Sequence, residues 1–62
     1  MTAIRRLREM RGITQLEFAM KLGVTASAIS HWETGRRKPG IDDVVRMAKI
    51  LDCTVDELLA EE

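Results

Sequence analysis

Apolar residues recur along this chain with the spacing of helices and nowhere with the strict alternation of strands. Ala3, Ile4, Leu7 and Met10 cluster on one side of a helix predicted from about Thr2 to Arg11. Arg5 and Glu9 lie opposite, and Met10 sits at the rim, where the pattern leaves burial and exposure open. Phe18, Ala19 and Leu22 mark the inward face of a second helix, from roughly Gln15 to Leu22. A third covers about Ala26 to Thr34. Ile41, Val44, Met47, Ala48 and Leu51 predict a buried stripe on a fourth helix running from near Gly40 to Leu51, and Val55, Leu58 and Leu59 an apolar side on a short fifth. The expected fold is all-α, a compact five-helix single domain over residues 1–62.

The polar residues between these stripes supply starts and stops. Thr14 with Glu17 three residues on has the spacing in which each side chain satisfies the other's orphan backbone donor. Gly23 stands where that helix ends, since glycine adopts the left-handed conformation at little steric cost. Thr25 offers a second start and Gly35 a second stop. Gly12 closes the first helix, Pro39 argues against helix through Lys38, and Thr54 with Glu57 repeats the capping pair. Gly40 brings no side-chain cap, though Asp42 and Asp43 complement the positive end of the fourth helix. Two short helices joined by a glycine turn, here at about residues 14–35, form the helix-turn-helix arrangement. Its second helix can enter the major groove of DNA.

The third helix has two unlike faces. At about 100° per residue, Ser27, Ser30, His31 and Thr34 share one side while Ile29 and Trp32 take the other. The apolar pair anchors the helix and places Trp32 in the core. The small polar face suits base edges: hydroxyls donate or accept, imidazole pairs with guanine or phosphate, and the methyls of Ala26 and Ala28 can meet thymine methyls.

Charge sharpens this picture. The formal net charge is zero, but residues 1–39 hold eight basic side chains against three acidic ones, and residues 40–62 hold two against seven. A basic surface at one end of a neutral domain points to a polyanion there. Sixty-two residues leave no room for a catalytic or sensor domain. One cysteine, Cys53, excludes an internal disulfide and is expected as a small buried hydrophobe. With His31 the only histidine, no metal-ligand set exists. No carboxylate pair, nucleophile set or phosphate loop supports an enzyme, and no cofactor or small-molecule ligand is expected. The absence of a signal peptide or a membrane-length apolar run predicts a cytoplasmic protein that does not meet the membrane. The acidic last residues are expected to fray.

The pattern I-x-x-L-R, then G-I-T-Q-x-x-F-A-x-x-L-G-V, then I-S-x-W-E-x-G-R-R-x-P resembles the phage-repressor and Cro-like (XRE-type) helix-turn-helix family from Ile4 to Leu59. The resemblance implies a lambda-repressor-like DNA-binding domain of prokaryotic or phage origin. It places Ala26, Ser27 and His31 at base edges, with Ser30 beside them. Gln15, Thr25, Thr34, Arg36, Arg37 and Lys38 fall at positions that meet phosphates. Arg8 and Glu33 match a partly buried structural ion pair. This chain departs from family members that carry long amide or guanidinium side chains at the first reading positions. Ala26 and Ser27 stand there instead, so modest intrinsic specificity is expected, aided by DNA shape and a second half-site.

Together these features predict a sequence-specific double-stranded DNA-binding regulator of repressor type, acting as a homodimer on a pseudo-palindromic operator. The fifth helix and the acidic C-terminus are the expected dimer surface. The alternative is the same fold used as an adaptor or antitoxin-like module with a protein partner.

Overall fold

The computed structural model describes residues 1–60 and arranges them as α1 Thr2–Met10, α2 Gln15–Leu22, α3 Ala26–Thr34, α4 Ile41–Leu51 and α5 Val55–Leu59. No strand occurs among the described residues. Glu61 and Glu62, the acidic end expected to fray, lie outside them.

Local chemistry explains the helix ends. The Thr14 hydroxyl accepts from the Glu17 N–H at 3.1 Å, and the Thr14 N–H donates to the Glu17 carboxylate at 2.9 Å. Thr54 and Glu57 repeat the reciprocal pair at the start of α5. Gly23 and Gly35 close α2 and α3 with φ of +73° and +81°, a conformation that a Cβ would strain. α4 starts one residue later than anticipated, at Ile41, and its cap residue Gly40 supplies no side-chain bond. α1 ends at Met10, with Arg11 as the flanking cap.

The helical stripes converge on one core. Ile4, Phe18, Leu22, Ile29, Met47, Leu51 and Leu58 are fully buried, so every helix contributes at least one such side chain. Each large aliphatic or aromatic residue buried this way contributes about 1.5–3 kcal/mol. α2 and α3 pack on each other, α1 lies against α3 and α5, and α4 bridges α2 and α5. The helix-turn-helix pair is therefore clamped from both sides.

Several expected burials are corrected. Ile41 is 69 % exposed, because the stripe of α4 continues past the point where the core ends, with Val44 the first of its residues to be buried. Leu59 is also exposed: five residues of α5 seat Leu58 inward, and about 100° per residue turns its neighbour away. Val55 is only partly buried against the core. Cys53 is half-buried in the turn after α4 rather than enclosed. Burial nevertheless pushes its thiol up, with the Glu57 carboxylate adding to the effect. Met10 is exposed, its sulfur 3.9 Å from the Arg6 guanidinium.

Candidate nucleic-acid interface

The site is built on a buried polar network. Arg8 of α1 donates through Nε to Glu33 Oε2 at 2.6 Å and through Nη2 to Glu33 Oε1 at 3.2 Å. Its Nη1 donates to the Ile13 carbonyl at 2.8 Å. Both side chains are almost fully buried, and no buried side-chain polar atom among the described residues lacks a partner. A buried ion pair holds only when the remaining polar sites are also satisfied, as they are here. The third member is Gln15, whose Nε2 donates to Glu33 Oε1 at 2.9 Å. This bond ties the first residue of α2 to the last turn of α3. One Nε2 proton and the amide oxygen of Gln15 remain for an outside partner.

The outward face of α3 carries Ser27 exposed and Ala26, Ser30 and His31 half-buried. The side chains of Ser27, Ser30 and His31 form no hydrogen bond with the described residues, so their donors and acceptors are uncommitted. The hydroxyls at the two ends of the helix differ. Thr25 accepts from the Ala28 N–H at 3.1 Å and keeps its own proton for donation. Thr34 donates to the Ser30 carbonyl at 3.0 Å, so its single proton is engaged within the helix.

The cations sort by partner. Arg5 pairs with Glu9 at 3.3 Å on exposed α1 surface, and Arg11 reaches Asp52 at 3.7 Å. Arg46 binds Asp43 and also donates to the Leu22 carbonyl at 3.1 Å, closing the end of α2. Arg36, Arg37 and Lys38 are exposed and have no ion-pair partner among the described residues. The turn at Gly35 folds this loop back, and the Arg37 N–H donates to the His31 carbonyl at 3.3 Å. Positive charge thus stands, unneutralised, beside the small polar face of α3. A shallow groove between them is lined by Thr25, Ser27, Ala28, His31, Trp32 and Arg37.

Sequence reasoning missed two features of this arrangement. Gln15 and Glu33 are 18 residues apart, and Arg46 and Leu22 are 24 apart. Neither pairing carries a local spacing signal.

Two capped helices around a left-handed glycine, the second presenting uncommitted polar groups beside free cations, define a helix-turn-helix domain. The chain belongs to the repressor/Cro-like (XRE-type) helix-turn-helix family: the family model described as Helix-turn-helix matches residues 4–58. It is similar to the HTH-type transcriptional activator BcrR of Enterococcus faecalis, with 36% identity over 59 residues covering 95% of this chain and 29% of BcrR. The HTH-type transcriptional regulator YqaE of Bacillus subtilis is 34% identical over 95% of this chain and 51% of its own length. The chain therefore spans between under a third and about half of these two relatives. The shorter regulator YazB of Bacillus subtilis is 36% identical, with 95% of this chain and 86% of YazB covered. Among solved structures, the DNA-binding domain of the P22 C2 repressor superposes with a TM-score of 0.87 at 32% identity, covering 95% of this chain and 78% of that one. The fold and family are those of DNA-binding domains of transcriptional regulators, which are not enzymes. No helix among the described residues is long and apolar enough to cross a membrane.

Proposed function

We propose that this chain regulates transcription by binding double-stranded DNA sequence-specifically, with α3 in the major groove. Ala26, Ser27, Ser30 and His31 face base edges. Gln15, Thr25, Arg36 and Lys38 hold phosphates, and Thr34 joins them only by giving up its bond to the Ser30 carbonyl. The observation that carries this reading is the unpaired Arg36–Lys38 loop folded back beside the uncommitted polar face of α3. Free cations neutralise phosphates and release counterions, and small polar side chains let the backbone approach the bases.

Repression is the action we propose, because occupying an operator is by itself enough to block transcription. One α3 covers few base pairs, and a homodimer on a pseudo-palindrome doubles the site. Ile41, Val45 and Leu59, exposed on the last two helices, support self-association there. Titration of random duplex DNA against salt tests the reading. Affinity is expected to fall steeply from about 50 to 200 mM salt, by roughly tenfold or more for a few phosphate contacts. Absence of binding at low salt overturns it and leaves the protein-partner alternative.

A further inference from the structure

We infer that Arg37 reads a base edge, the O6/N7 side of a guanine in the major groove, where its place in the basic run would class it with the phosphate contacts. The inference rests on the proposed docking of α3. Of the three loop cations, Arg37 alone lines the groove that also holds Ser27, Ala28 and His31. Its main chain is fixed rather than loose: the N–H is bonded to the His31 carbonyl, one turn before the end of α3. Its guanidinium has no partner among the described residues.

The chemistry of the reading face favours the same role. Ala26 and Ser27 are too short to make a two-point contact with any base, so α3 by itself lacks a strong discriminator. A guanidinium supplies two parallel donors in a rigid fork at the spacing of guanine O6 and N7, a geometry that a flexible lysine ammonium holds less strictly. The Ala28 methyl and the edge of Trp32 give the groove an apolar wall. Arg36 and Lys38 lie outside the groove and remain phosphate contacts.

Selection from a random duplex pool with wild type, Arg37→Lys, Arg37→Ala and Arg36→Ala separates the roles. Wild type is expected to prefer guanine at one position per half-site by roughly 10- to 100-fold. Arg37→Lys keeps affinity for random duplex within about twofold, because the charge remains, while that preference falls below about threefold. Arg36→Ala weakens all sequences alike and leaves the preference intact. Placing 7-deazaguanine at the selected position weakens wild type and leaves Arg37→Lys unchanged. An Arg37→Lys protein that selects the same sequence as wild type overturns the inference, as does an Arg37→Ala protein that loses affinity evenly across sequences. Both failures require a wild type that binds and selects DNA. A wild type that binds no duplex at low salt overturns the docking itself.

Discussion

Arg8 on α1 and the cations that follow α3 are the same chemistry in opposite circumstances. Arg8 is buried, and each of its three guanidinium nitrogens donates to an acceptor inside the fold. Arg36, Arg37 and Lys38 are exposed and meet none among the described residues. A buried charge whose every bond is internal belongs to stability, since its removal strands a partner out of water. An exposed, unpaired charge adds little to stability and is available to a polyanion. Net charge alone, at zero, conceals this division.

The sharpest way to break the contrast is Arg8→Ala. It leaves Glu33 buried without its guanidinium, at an expected cost of about 3–5 kcal/mol. A domain this small has a total stability of that order, about 3–5 kcal/mol, so the variant is expected to be largely unfolded at 25 °C by circular dichroism. Replacing both partners, Arg8→Met with Glu33→Leu, is expected to recover most of the melting temperature, because no charge is then stranded. A single variant that melts within a few degrees of wild type shows that Arg8 is not structural.

Lys38→Ala tests the other side. Its effect on unfolding is expected to stay within about 0.5 kcal/mol. Its effect on DNA is expected to be uniform across sequences, with the slope of log affinity against log salt shallower by about 0.9. A loss of stability comparable to that of Arg8→Ala would erase the distinction. An unchanged salt slope would remove Lys38 from the interface.

Local signals made much of this legible in the sequence. Thr14, Gly23, Thr25 and Gly35 act on backbone groups within a few residues, and α2 and α3 begin and end where they place them. The opposite faces of α3 follow from helical periodicity alone: Ile29 and Trp32 are buried and Ser27 is exposed. What escaped depends on neighbours distant in sequence. Ile41 continues a regular stripe, yet burial requires another element above it, and periodicity carries no information about where the core stops. The bond from Gln15 to Glu33 and the reach of Arg46 to Leu22 arise only when the helices meet. The loop order Arg36-Arg37-Lys38 likewise hides that its middle residue alone borders the groove of α3.

Between buried pair and free cation lies a third kind of charge, an exposed carboxylate that serves its own backbone. Glu17 sits at the surface but accepts from the Thr14 N–H, which, followed by the Thr14 side-chain bond, holds its carboxyl below the usual glutamate range. A depressed folded value means that the native state favours the ionised form. The resulting stabilisation is full above the unfolded value and fades as pH falls through the folded one. Glu17→Gln keeps an acceptor at that position and loses the charge. Its melting temperature is therefore expected to lie slightly below wild type at neutral pH, with the gap closing as the medium is acidified below the ordinary glutamate range. Melting curves of both proteins across that range check it. A gap that persists unchanged into acid would mean that shape and packing at the start of α2, rather than ionisation of Glu17, set the difference.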